Sequence, residues 1–138
     1  MIIGITKEIK TDENRVAITP AGVEILKHNG HDVLVETAAG RASGFPDADY
    51  NRAGAQIVES AASIFEGAEM ILRVKEPQSS EFQLLRKGQI YFSYLHLATS
   101  EALARALIER GGINIAYETI QKADGTLPLL KPMSQVAG

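Results

Sequence analysis

Apolar residues fall along this chain in two alternating rhythms. Short runs rich in β-branched residues occur at Ile2–Ile5, Asp32–Glu36, Met70–Val74, Gln89–Tyr94 and Ile113–Tyr117. Several are apolar on successive positions, as in Ile90-Tyr91-Phe92, the pattern of strands buried on both faces of a sheet. Segments with helical spacing lie between them. Thr19 is placed to cap a helix with Pro20 at its first position, Val23 and Leu26 on its buried side and Asn29-Gly30 at its end. Ser80 and Gln83 have capping-box spacing ahead of Leu84 and Leu85, with Gly88 as the stop. Ser100 opens the clearest helix, with Leu103, Ala106, Leu107 and Arg110 along one side and Gly111-Gly112 closing it. Shorter helical turns are expected after Asp47 and Ser60, ending at Gly54 and Gly67. Strand–helix alternation at this spacing predicts right-handed βαβ units: an α/β fold on an open, mostly parallel, Rossmann-like sheet with helices on both faces. Near the end, Ser134 is placed as an N-cap, with Gln135-Val136-Ala137 as a first turn before Gly138. So short a helix is not expected to hold alone, and the domain reads as truncated.

Composition narrows the partners. A chain of 138 residues with 45% hydrophobic and 22% charged residues makes one ordinary globular domain, spanning residues 1–138. A net charge of −3 argues against a nucleic-acid surface or a polybasic membrane patch. No apolar run approaches the roughly 20 residues of a membrane helix, and the first residues do not read as a signal peptide. The sequence has no cysteine, which excludes disulfides, thiolate catalysis and cysteine-based zinc sites and fits a cytoplasmic setting. No Gly-x-Gly-x-x-Gly fingerprint for a dinucleotide occurs. Ala39-Gly40-Arg41-Ala42-Ser43-Gly44 is rich in glycine but lacks the lysine–serine ending of a phosphate loop, and reads as a flexible surface loop. No His/Asp/Glu cluster has metal-ligand spacing.

In an open parallel sheet, ligands bind beyond the carboxyl ends of the strands. Lys75 follows the run Met70–Val74, His96 lies just past Gln89–Tyr94, and Arg15 sits between the first strand and the Thr19 cap. Arginine offers a planar fork for a carboxylate, lysine a point charge for a polarised carbonyl oxygen, and histidine a proton near neutral pH. Together they describe a site for a small 2-oxo acid. Each residue also has a plainer reading: a surface lysine beside Glu76, a solvated loop arginine, a core histidine between Leu95 and Leu97. His28 and His31, beside the Asn29-Gly30 turn, read as surface residues.

A resemblance adds to this. Gly4-Ile5-Thr6-Lys7-Glu8, the stretch Asn14–Val23, Arg73-Val74-Lys75-Glu76-Pro77, Tyr94-Leu95-His96-Leu97-Ala98, Ala116-Tyr117-Glu118-Thr119 and Leu129-Leu130-Lys131-Pro132-Met133-Ser134 resemble, in order, the alanine dehydrogenases. Thr6 departs from the proline usual in that family, a change expected to affect a turn and not the chemistry. The resemblance implies the substrate-binding domain of an enzyme that interconverts L-alanine with pyruvate and ammonium using NAD. It implies that Arg15 and Lys75 bind substrate and that His96 donates and accepts the proton, with Lys75 also catalytic. Met133 and Ser134 match positions near the nicotinamide, and Tyr94 and Glu118 are expected to support the site. The family's NAD-binding domain, with its catalytic aspartate, lies outside this chain, so NAD is not expected to bind these residues alone and the isolated piece is expected to be inactive. A cytoplasmic homohexamer follows from the same resemblance. Two alternatives stand beside it. One is the NAD-binding subunit of a proton-translocating transhydrogenase, which shares the N-terminal signature but generally lacks the lysine found here at Lys75. The other is a non-catalytic pyruvate-binding module.

Overall fold

In the computed structural model, which describes residues 1–138, Ile2–Ile5 (β1) pairs in parallel with Asp32–Glu36 (β2) on one side and Met70–Leu72 (β4) on the other. Gln56–Val58 (β3) extends the sheet beyond β2, and Ile90–Ser93 (β5) and Ile113–Ala116 (β6) extend it beyond β4. The order is β3-β2-β1-β4-β5-β6, with every neighbouring pair parallel.

Alternate side chains along the strands go to opposite faces, and each face carries its own core. Ile3, Ile5, Val33 and Val35 pack with Val23 and Tyr50 under Pro20–His28 (α1) and Asp47–Arg52 (α2). Ile71 and Tyr91 pack with Ile64, Phe65, Leu103 and Leu107 under Ala61–Gly67 (α3) and Glu101–Arg110 (α4). Burying a leucine such as Leu103 or Leu107 contributes about 2 kcal/mol. Two glycines are sites of close approach. A Cβ on Gly4 would lie 2.4 Å from Ile64 Cγ2, so its absence lets α3 settle on β1. A Cβ on Gly40 would lie 2.6 Å from the ring of Tyr50, whose hydroxyl donates to the Ile18 carbonyl at 2.8 Å.

Most helix ends follow their local chemistry. Thr19 Oγ1 accepts from Gly22 N at 3.2 Å ahead of Pro20, and Ser100 Oγ accepts from Leu103 N at 3.2 Å. Ser60 caps α3, and Gly111 closes α4 at φ 66°, where a side chain is strained. Four expectations need correction. The edge strand β3 is missed by periodicity, because the strand is three residues long and only Ile57 and Val58 within it are apolar. The capping box belongs to Gln78 and Glu81, which open a 3-10 turn over Ser79–Leu84 in place of a helix set by Ser80 and Gln83. Ser134 is not an N-cap: it lies inside Leu130–Ala137 (α5), which starts early enough to place Pro132 in its first turn, where no N–H is needed. The Ala39–Gly44 stretch is an ordered turn, with Ala39 buried and Ser43 Oγ donating to the Asn14 carbonyl at 2.7 Å. No helix is long and apolar enough to cross a membrane.

Candidate active site

The chain winds outward from β1 through β2 to β3, then returns to β4 and winds the other way, so β1 and β4 flank the switch point of the sheet. Loops leaving neighbouring strands in opposite directions open a crevice beyond their carboxyl ends. Three loops meet there: the segment after β1 that carries Arg15, the one after β4 that carries Lys75, and the one after β5 that carries His96.

A buried ionic cluster clips the first two together. Arg73, with no exposed surface, donates to Thr6 Oγ1 at 2.8 Å, Glu81 Oε1 at 2.8 Å and Glu8 Oε2 at 3.0 Å. Burial opposes its charge, but Tyr91, Glu8 and Glu81 together raise its pKa above that of an ordinary arginine. The other oxygen of Glu8 accepts from Val74 N at 2.6 Å and Lys75 N at 3.3 Å. Glu8 thus holds the backbone from which the Lys75 side chain departs. Thr6 corrects an expectation, since its hydroxyl is a member of this cluster and not a detail of a turn.

Beside the cluster opens a cleft of about 370 Å³ lined by Arg15, Ser43, Phe45, Arg73, Tyr94 and Tyr117, among others. Arg15, Tyr94 and Leu129 are shared with a second opening of about 510 Å³, walled by Pro128, Pro132, Met133 and Val136. The Arg15 guanidinium is engaged by Glu13 in a fork, Nε to Oε1 and Nη2 to Oε2 both at 2.8 Å. That pairing raises the arginine and holds the Glu13 carboxyl below the usual carboxylate range, with the charge of Lys75 contributing to the latter. Lys75 itself is half-buried and makes no side-chain ion pair. The hydroxyl of Tyr94 donates to the Leu129 carbonyl at 2.9 Å, tying the β5 loop to the segment before α5. Tyr117 lines the cleft beside Tyr94, ring centroids 4.9 Å apart, and burial raises its phenol above the ordinary value.

His96 stands on a strained backbone, φ 47° and ψ 44°, in the left-handed region that ordinary residues avoid. Glu118 holds it there: one carboxylate oxygen accepts from His96 N at 2.8 Å and Leu95 N at 3.0 Å. The imidazole stacks near Tyr94, ring centroids 6.4 Å apart, with Nδ1 at 3.8 Å from Glu76 Oε2.

The structure therefore puts Arg15 and Tyr94 in the cleft wall and Met133 in the wall of the adjoining opening. Lys75 and His96 are on the loops that frame these openings and do not line them. Ser134 is exposed on α5 and lines neither. Sequence reasoning misses Tyr117 and the Glu8–Arg73–Glu81 cluster. The signal available was Arg73 itself, a charge inside the apolar run Met70–Val74, where only a paired ion is tolerated.

Residues 4–137 match the family model described as alanine dehydrogenase/PNT, N-terminal domain. The chain belongs to this family. Over all 138 residues it is 54% identical to the alanine dehydrogenase of Methanococcus maripaludis and 53% identical to that of Mycobacterium tuberculosis, and it spans 37% of the length of each. Among solved structures, an L-alanine dehydrogenase superposes on 99% of the chain and 38% of its own with a TM-score of 0.96 at 47% identity. A transhydrogenase from Sinorhizobium meliloti covers 90% of the chain and 35% of its own with a TM-score of 0.83 at 31% identity. The domain of this family seen here is thus the six-stranded parallel α/β unit, with its ionic cluster at the switch point.

Proposed function

We propose that the chain forms the substrate-binding part of an NAD-dependent L-alanine dehydrogenase, which interconverts L-alanine with pyruvate and ammonium. The observation that carries this reading is the meeting of three loops at one sheet edge, with Arg15 and Tyr94 in the cleft wall and Lys75 and His96 framing it. Arg15 holds the substrate carboxylate in its planar fork, displacing Glu13, which already shows the bidentate geometry. Lys75, free of ion pairs, points its charge at the oxygen of the 2-oxo acid, where negative charge develops. His96 takes a proton from the water that adds to the α-carbon and returns one to the departing nitrogen. Tyr94 and Glu118 support these groups through the bonds that fix their loops.

The fit to NAD divides along the molecule. The apolar wall of Pro132, Met133 and Val136 beside Arg15 suits the flat face of a nicotinamide, with Ser134 on the neighbouring turn of α5. The loop after β1 has no glycine cradle for a pyrophosphate, so the remainder of the cofactor is held elsewhere. NAD, when bound, supplies the hydride acceptor. A cytoplasmic homohexamer belongs to this reading as well.

The likeness to a transhydrogenase favours a second reading, part of a nucleotide-binding subunit. The joint presence of Lys75 and His96, with Lys131-Pro132-Met133, supports the dehydrogenase. A domain replacement separates them. The chain substituted for the corresponding segment of the Methanococcus maripaludis enzyme is expected to sustain alanine-dependent reduction of NAD. A folded chimera without alanine turnover contradicts the proposal. One that still binds pyruvate would favour a non-catalytic binding module, and one that does not would favour the transhydrogenase reading.

A further inference from the structure

Glu76 lies between Lys10 and His96 and has used only one of its oxygens. Oε1 is ion-paired with Lys10, from the segment after β1. Oε2 is buried, accepts no hydrogen bond, and lies 3.8 Å from Nδ1 of His96. A buried carboxylate oxygen without a donor is costly, and a small rotation of the imidazole brings Nδ1–H within bonding distance. Neither partner is free to drift. Glu76 follows the backbone that Glu8 pins at Val74 and Lys75, and its own carbonyl accepts from Gln78 Nε2 at 3.0 Å. The His96 backbone is held in its strained conformation by Glu118.

We propose that Glu76 is a positioning residue for His96: its Oε2 accepts the Nδ1–H bond, fixing the tautomer that leaves the Nε2 lone pair as the ring's proton acceptor. A histidine's second nitrogen is set by the bond its first one makes, and a carboxylate at Nδ1 also stabilises the imidazolium when Nε2 is protonated. Burial works to raise the Glu76 carboxyl, but the bond from Lys10 and the charges of Lys10 and His96 hold it below the usual range, so it stays an acceptor at neutral pH. Lys10 occupies Oε1, which leaves Oε2 as the oxygen facing the ring, while the backbone bonds of this segment fix where the carboxylate stands. The catalytic consequence rests on the reading of His96 as the proton carrier; the tautomer does not.

The test is the imidazole ¹⁵N spectrum of this chain without substrate or cofactor, at about pH 8.5, where an ordinary histidine is neutral. Long-range ¹H–¹⁵N correlations distinguish Nδ1–H from Nε2–H, and His96→Asn assigns the signal against His28 and His31. Wild-type His96 is expected to have Nδ1–H as its majority form, with an Nδ1–H to Nε2–H ratio about tenfold or more above that of His28, the worth of one hydrogen bond to a charged acceptor. Glu76→Ala should return it to the Nε2–H majority of a solvated imidazole such as His28. Lys10→Met, which leaves Glu76 in place, should keep the Nδ1–H form dominant and serves if Glu76→Ala does not fold. A wild-type Nε2–H majority, a ratio unmoved by Glu76→Ala, or loss of the Nδ1–H form in Lys10→Met each overturns the proposal. None of these readings depends on turnover, so an inactive chimera with an Nδ1–H His96 would sink the dehydrogenase reading and leave the pairing intact.

Discussion

Arg15 meets the cleft with its guanidinium already occupied, and that shapes what its neighbours do. Glu13 competes for the same two N–H groups that a substrate carboxylate needs, so Glu13→Gln, which removes one charge and weakens the fork, should tighten pyruvate binding several-fold in a titration. In the chimeric enzyme, Lys75→Ala should lower turnover by about 10²-fold or more, because its charge matters most as the oxygen becomes negative. Arg15→Ala should chiefly raise the Michaelis constant for alanine, and Arg15→Lys should rescue it poorly, since a point charge cannot reproduce a fork. His96→Ala should lower turnover and flatten one limb of the pH–rate profile, while His28→Ala should leave both nearly unchanged. Full rate and pH dependence in His96→Ala would make the histidine a structural residue.

At the scale of elements, the loops after β1 and β4 are held by ions rather than by apolar packing. Glu8 and Arg73 are almost fully buried, so Glu8→Ala removes one of the two carboxylates on a buried guanidinium and the acceptor of Val74 N and Lys75 N, and should cost about 3–5 kcal/mol in a denaturant melt. Thr6→Val removes one acceptor from a cluster that keeps its other members, and should cost about 1–2 kcal/mol. If both variants melted like wild type, the cluster would not be what joins the loops. Gly4→Ala forces a methyl against Ile64 where α3 meets β1 and should cost about 1–3 kcal/mol. The contrast between these features shows what the sequence could disclose. Alternation and caps are local, so β1, β2, α1 and α4 were legible from Ile2–Ile5, Asp32–Glu36, Thr19-Pro20 and Ser100. The short edge strand β3 has too few residues to establish a period, and its identity comes from its pairing with β2. The positions of Arg15, Lys75 and His96 in loops beyond strand ends were also legible, because each follows a strand-like run in sequence and parallel strands put those ends on one side of the sheet. The Glu8–Arg73 and Leu95–Glu118 contacts span 65 and 23 residues of sequence, and no local pattern signals them. The Glu13–Arg15 fork is the one such contact that is local, its two charges standing two residues apart in the sequence.

Taken as a whole molecule, the chain is a parallel sheet whose switch point gathers charge: Glu8, Arg73 and Glu81 buried, Arg15 in the cleft wall, Lys75 and His96 on the loops that frame it. The proposed function makes that edge a receptor for a small 2-oxo acid. The most direct check is a titration of the ¹⁵N-labelled chain with pyruvate, followed by backbone and side-chain shifts in the wild type and in Arg15→Ala and Lys75→Ala. Saturable shifts are expected at Arg15, Lys75, Tyr94 and His96, weakened by about tenfold or more in each variant, as loss of one charge-assisted contact requires. Shifts that cluster away from the carboxyl ends of β1, β4 and β5, or equal affinity in both variants, would contradict the account.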